Sequence, residues 1–335
     1  MNALANTATG ETLPALDALG VRGSGLVRPE CVLATSAGDI YCSDFRGGVT
    51  HLRADGSQAL YAGKGPDGLV LQPNGIALLR DGAFLLAHLG EERGGVFRLG
   101  RDGQVRPWLE CVDGVDLPPT NFVVEDFAGR FWVTVSTRRR PRALGYRRDV
   151  ADGFIVVVDA RGARIAADGL GYTNEVAVDP SRRWLYVNET FGRRLSRFAL
   201  RADGSLGPRE VVTEFGPGCF PDGLAFDDAG HAWIVSIVSN RVIRVAPDGG
   251  QTLWLQDAEA AHLAWVEAAY DAGTMGREHL AGVKSRRLRN VSSIAFAGPA
   301  RRTALLGCLL GESLHAFEAP AAGLAPAHWH FPLAA

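Results

Sequence analysis

Ala229-Gly230-His231-Ala232-Trp233 is one of six copies of the phrase that decides the fold: a small or turn residue, a glycine, one residue, then an apolar pair opening a strand. Ala37-Gly38-Asp39-Ile40-Tyr41, Asp81-Gly82-Ala83-Phe84-Leu85 and Ala128-Gly129-Arg130-Phe131-Trp132 repeat it. Arg182-Arg183-Trp184-Leu185-Tyr186 and Arg301-Arg302-Thr303-Ala304-Leu305 repeat it without the glycine. The copies begin at 37, 81, 128, 182, 229 and 301, so the spacings are 44, 47, 54, 47 and 72 residues. A period in the forties matches about four short strands per unit, the size of a propeller blade. After most copies a second strand runs into Asp-Gly: Asp55-Gly56, Asp102-Gly103, Asp203-Gly204 and Asp248-Gly249. Both residues tolerate the positive φ of a tight hairpin. The pattern predicts an all-β chain, a six-bladed β-propeller.

The long last spacing predicts a helical insertion over 257–288, before the last blade. Ala258-Glu259-Ala260-Ala261 are strong helix formers, and Leu263, Val266 and Tyr270 recur at helical spacing. A loop of that length serves as a functional lid or interaction element, or plugs one end of the channel. With no linker composition anywhere, the 335 residues read as one domain, residues 1–20 forming a loose tail. His328-Trp329-His330-Phe331 is a candidate outer strand closing the ring.

Lys+Arg number 35 against 37 Asp+Glu, which leaves no electrostatic footprint for nucleic acid or anionic lipid. No apolar run approaches the roughly 20 residues of a membrane-spanning helix. The N-terminus lacks the basic and apolar regions of a secretory signal. Five scattered cysteines without a CxxC pair read as reduced thiols of a cytoplasmic protein. The expected partner is a small-molecule substrate, and the expected assembly a monomer or small homo-oligomer.

Short polar motifs precede the repeat phrases: Arg28-Pro29-Glu30-Cys31, Gln72-Pro73-Asn74-Gly75, Pro119-Thr120-Asn121-Phe122, Tyr172-Thr173-Asn174-Glu175 and Phe220-Pro221-Asp222-Gly223. In a propeller these are loops entering the innermost strands, so they converge on the axis. Glu30, Asn121, Asn174 and Asp222 would form a ring of hard oxygen ligands for one divalent metal ion, with positions left for water or substrate. Taken singly, Asn121 and Asn174 read as ordinary turn residues bonding their own backbone. Their recurrence favours the metal role. Glu30 has the least structural excuse, because a carboxylate beside Cys31-Val32-Leu33 is costly to bury unpaired. The basic run Arg138-Arg139-Arg140 with Arg142, Arg147 and Arg148 reads as a solvated loop, or else as a clamp for an anionic substrate.

The order Pro-Glu, Asn, Asn, Pro-Asp-Gly over nearly the whole chain resembles the senescence-marker-protein (SMP-30)/gluconolactonase/luciferin-regenerating-enzyme-like family. The resemblance implies metal binding by Glu30, Asn174 and Asp222, with Asn121 binding directly or through water. Ca²⁺ is the first expectation, with Mg²⁺, Mn²⁺, Zn²⁺ or Fe²⁺ as alternatives. Asn74-Gly75 and His88 resemble the bacterial gluconolactonase branch, where they imply substrate contacts, as Asn121 does. The sequence departs from the family where Phe122 replaces an aspartate and Glu175 a glycine.

The activity implied is lactone hydrolysis: the metal polarises the carbonyl and water attacks, with Asp222 as general base and Glu175 or His88 as substitutes. His88 read alone is a satisfied strand histidine. The rival readings are a different hydrolysis, hydration or isomerisation at the same site, and a non-enzymatic binding scaffold.

Overall fold

In the computed structural model, which describes residues 14–331, six four-stranded antiparallel sheets follow one another around an axis. The innermost strands of blades 1–6 are Val32–Ala34, Pro73–Leu78, Thr120–Glu125, Thr173–Val178, Cys219–Phe226 and Val291–Ala297. Each is followed by a hairpin into the second strand, and that hairpin is the repeated phrase. Gly38, Gly82, Gly129 and Gly230 take φ of 87°, 84°, 76° and 90° there. In the two copies without glycine, Arg182 and Arg301 accept φ of 59° and 51°. The turn is the same, held by an arginine at some cost in backbone strain.

In blades 3 and 5 the turn is also stapled from within. Asp126 Oδ2 accepts the indole N–H of Trp132 at 2.9 Å, and Asp227 Oδ2 that of Trp233 at 3.0 Å. Both tryptophans are fully buried, so a polar handle and a large apolar body are satisfied together.

The ring closes differently from the sequence expectation. The outer strand of blade 6 is Gly20–Arg22, pairing Gly20 with Ala316 and Arg22 with Leu314. Residues 328–331 form no strand: Trp329 is buried in the blade 1/blade 6 core, and His328 lines the central cavity. A one-chain ring is most strongly secured by pairing its two ends in one sheet, which removes an edge. Leu19, within the segment expected to be loose, is 3% exposed and packs with Trp233 and Trp254. The rest of that expectation, residues 1–13, lies outside the described residues.

The insertion between blades 5 and 6 contains two helices, Ala260–Asp271 and Arg277–Ala281. Val266, Ala269 and Tyr270 bury against Phe191, Phe220 and Ile237 at the ends of blades 4 and 5. The Tyr270 hydroxyl donates to the Phe191 carbonyl at 2.6 Å. Arg193 pairs with Glu267 at 2.5 Å. The insertion is pinned at its base, where the Asp257 carboxylate accepts the N–H groups of Arg286, Arg287 and Leu288 at 2.7–2.9 Å.

Candidate functional site

The innermost strands are bulged where the polar motifs fall. Register slips between Pro73 and Ile76, Thr120 and Phe122, Thr173 and Val176, and Pro221 and Leu224. Asn74, Asn121, Asn174, Glu175 and Asp222 therefore lie within bulged strand starts rather than in the loops before them. A bulge turns a side chain off the sheet's alternation and aims it along the axis. Only Glu30 precedes its strand, following Arg28, whose φ is 52°.

The glycines of Pro-Asn-Gly and Pro-Asp-Gly have a packing reason. A Cβ at Gly75 would lie 2.6 Å from Phe122 Cα, and one at Gly223 2.6 Å from the Ser292 carbonyl oxygen. Neighbouring innermost strands touch backbone to backbone at these points, beside the site residues.

Glu30, Asn121, Asn174 and Asp222, from four different blades, line one cavity of about 30 Å³. All four are at most 5% exposed. A cavity needs roughly 10–15 Å³ to hold one water, so this one admits an ion or a water or two, and no sugar. The amide oxygens of Asn121 and Asn174 are buried without a hydrogen-bond partner. Asn174 is oriented by its other end, whose Nδ2 donates to Thr190 Oγ1 at 2.9 Å. Buried acceptors left unpaired call for an explanation, and an ion or an ordered water in the shared cavity would supply one. Burial, and then the charge of Glu30, push the Asp222 carboxyl well above its ordinary range. Two carboxylates and two amide oxygens lining one small cavity fit a hard divalent cation. Among the described residues no group of three or more His, Cys, Asp and Glu is placed to hold a metal.

The other sequence-predicted residues stand around this cavity. Asn74 Nδ2 donates to the Asn121 carbonyl at 3.0 Å, and its Oδ1 receives Arg28 at 3.2 Å. Glu175 faces the opposite way, into an apolar central cavity of about 150 Å³ that also holds Cys31, Phe122 and His328. Its Oε2 accepts the N–H of Leu224 at 2.8 Å, and burial, then Asp222 and Glu30, raise its pKa. His88 lines neither the small cavity nor the pocket above it; its Nδ1 accepts the Gln72 N–H at 3.0 Å. Burial lowers its pKa to about 4, so it is neutral near pH 7.

Arg28, Tyr146 and Tyr172, to which the sequence assigned no role, also line the cavity, as does Arg142, which it read as part of a solvated loop or else of a clamp for an anionic substrate. Arg28 donates twice to Glu30 Oε2, at 2.8 and 3.1 Å. The Tyr172 hydroxyl and Arg142 Nη1 are buried without a hydrogen-bond partner. Arg28 and Tyr172 stand inside the very motifs that carry Glu30 and Asn174, which was an available signal. Arg142 comes from the loop joining the second and third strands of blade 3, and only that loop's length sets it apart.

Above the cavity lies a pocket of about 310 Å³, at the lower end of the roughly 300–1,000 Å³ typical of small-molecule sites. Arg28, Arg142, Tyr146, Leu280 and Leu309 line both spaces, which adjoin there. Leu280, Ala281 and Arg277 of the second helix roof the pocket, so the insertion is part of its wall.

Comparison with known proteins bears on the family and the fold. The chain is 34% identical over 193 residues to a 6-deoxy-6-sulfogluconolactonase of Pseudomonas putida, and 31% identical over 182 residues to a pentonolactonase of Haloferax volcanii. These matches cover 54% and 52% of this chain and span 57% and 56% of the two relatives' lengths. The solved structure of a Xanthomonas campestris gluconolactonase superimposes with a TM-score of 0.64 over 91% of both chains, at 20% identity. A model of the SMP-30/gluconolactonase/LRE-like region matches residues 28–261, and the chain belongs to that family.

Proposed function

We propose that this protein hydrolyses a lactone, a sugar lactone in the first instance, using one divalent cation held by Glu30, Asn121, Asn174 and Asp222. The observation that carries the reading is the pair of orphaned amide oxygens, Asn121 Oδ1 and Asn174 Oδ1, facing a cavity shared with two carboxylates. The names of the two relatives, both lactonases, point to the same reaction class. A divalent cation at this position supplies Lewis acidity toward a carbonyl oxygen. Calcium suits the all-oxygen donor set best.

The chain's own residues divide the remaining work. The 310 Å³ pocket takes the lactone ring, which is too large for the inner cavity. Asp222 accepts the proton of the attacking water. Glu175 is a positioning residue: by holding the Leu224 N–H from below, it fixes the bulge that presents Asp222. Asn74 does the same for Asn121 and Arg28. Phe122 and the central cavity keep the underside of the site apolar.

The test is metal content of the purified protein by elemental analysis, before and after chelation, together with proton release from a panel of sugar and aliphatic lactones. One equivalent of divalent metal and chelator-sensitive acid release are expected. A metal-free protein that still opens lactones would overturn the cation's role, and a metal-loaded protein inert toward every lactone would overturn the reaction.

A further inference from the structure

The geometry points to Arg142, with Arg28, as an anchor for a negatively charged substituent on the substrate, so that the preferred substrates are lactones bearing a carboxylate, sulfonate or phosphate away from the reacting carbonyl. This rests on the lactonase reading above and specifies its substrate class.

Three observations carry it. First, Arg142 is half-buried beside Tyr146, and its Nη1 is buried without a hydrogen-bond partner, which is costly for a charged donor. The other arginines of its loop behave differently: Arg138 pairs with Asp168 at 2.7 Å and Arg139 with Asp152 at 3.2 Å, both in solvent. Second, Arg142 and Arg28 line both the inner cavity and the 310 Å³ pocket. A group held by them lies beside the reaction centre, on the side where there is room for a substrate.

Third, with the proposed cation bound the charges would not balance without an anion. Glu30 and Asp222 bring two negative charges, which a divalent cation offsets in full. The charges of Arg28, which donates to Glu30, and of Arg142 would then be in excess where the two spaces adjoin. Arg277, on the pocket's outer wall, is already paired with Glu91 at 2.6 Å, and both are more than half exposed. A carboxylate or sulfonate would offset one of these two charges and a doubly ionised phosphate both, and the planar fork of a guanidinium matches the two oxygens of any of the three.

The experiment compares glucono-1,4-lactone with glucaro-1,4-lactone, which has the same five-membered ring and carries a carboxylate where the first has a hydroxymethyl group. It uses the wild type, Arg142→Met and Arg142→Lys. Calorimetric binding of the open acids, gluconate and glucarate, is measured in parallel on the protein as purified and after chelation. The wild type is expected to prefer glucarolactone in kcat/KM, chiefly through KM. Arg142→Met is expected to cut the anionic-to-neutral ratio at least tenfold, and Arg142→Lys to recover part of it. Glucarate is expected to bind more tightly than gluconate, with a preference that added salt and Arg142→Met both weaken.

Equal loss on both lactones in Arg142→Met, with no change in their ratio, would overturn the inference and leave the lactonase reading standing. Arg142 would then only compensate the acidic pair or hold the carboxylate common to every product. Absence of turnover on both lactones would count against the reaction itself. The calorimetric preference for glucarate and its dependence on Arg142 would still decide the anion site.

Discussion

Adding one carbon at Gly223 tests the claim that blade-to-blade backbone contact sets the site. A Cβ there would lie 2.6 Å from both the Ser292 carbonyl oxygen and Ser293 Cα, and 2.8 Å from Val235 Cγ2. Two of these three neighbours are backbone in the innermost strand of blade 6, so no rotamer change relieves them. Overpacking typically costs 1–3 kcal/mol, and contacts this short with rigid atoms place Gly223→Ala at about 3 kcal/mol. For 335 residues the unfolding entropy is on the order of 0.7 kcal/mol/K, so Tm should fall by roughly 4 °C. Asp222 is the preceding residue, and the strand must move by several tenths of an ångström to admit the methyl. Cation affinity is therefore expected to drop at least tenfold alongside the Tm. Gly216→Ala is the control: it is exposed, has nothing within 4 Å of its added carbon and needs no positive φ. It should match the wild type or gain a few tenths of a kcal/mol. The readouts are scanning calorimetry and isothermal titration with Ca²⁺. A Gly223→Ala protein with wild-type Tm and wild-type cation affinity would refute the reasoning.

Asn121→Ala removes an amide oxygen that bonds to nothing in the folded protein. Ca²⁺ affinity should fall at least tenfold, while the Tm of the chelated protein changes by no more than about 1 °C; a large loss in the chelated form would mean the amide is structural. Adding cation to the chelated wild type should raise Tm progressively, by the equivalent of about 2.7 kcal/mol at a hundred times Kd. A Tm indifferent to every divalent cation would contradict the donor set. Burial lowers the His88 pKa from 6.5 to about 4, so the folded state binds fewer protons than the unfolded one in that window. Stability should fall as pH drops from about 6.5 to 4, by roughly 3 kcal/mol from this residue. His88→Asn, which keeps an acceptor for the Gln72 N–H, should flatten that limb in urea titrations at pH 4 to 7; an unchanged slope would show that His88 titrates normally.

The blades were legible because the hairpin after each innermost strand needs a left-handed residue, and glycine announces that need at four of its six occurrences. At Arg182 and Arg301 the same turn is held by arginine, and there only the spacing revealed it. The convergence of Glu30, Asn121, Asn174 and Asp222 was legible for the same reason, since equivalent positions of successive blades meet at the axis. The bulges were not. Pro-Asn-Gly and Pro-Asp-Gly look like turns because glycine's freedom of φ is the usual explanation, whereas here glycine is required for lack of a Cβ. The basic run with Arg142 read first as a solvated loop and only second as an anion clamp, because which member turns inward depends on how a long loop folds. The closing strand was sought at the wrong end: Gly20-Val21-Arg22 is too short to carry a pattern, and only its pairing with Leu314 to Ala316 identifies it.

That pairing has a kinetic consequence. Gly20 and Ala316 are joined by about 300 residues, and closing so long a loop from an open chain costs on the order of 5 kcal/mol in entropy. Three residue pairs cannot meet that cost alone, so blades 1–6 must stack first and bring the two segments together. Ring closure is then the last step of folding and the first to reverse. A disulfide between Val21→Cys and His315→Cys, which face each other across the pair, should slow unfolding far more than it speeds folding.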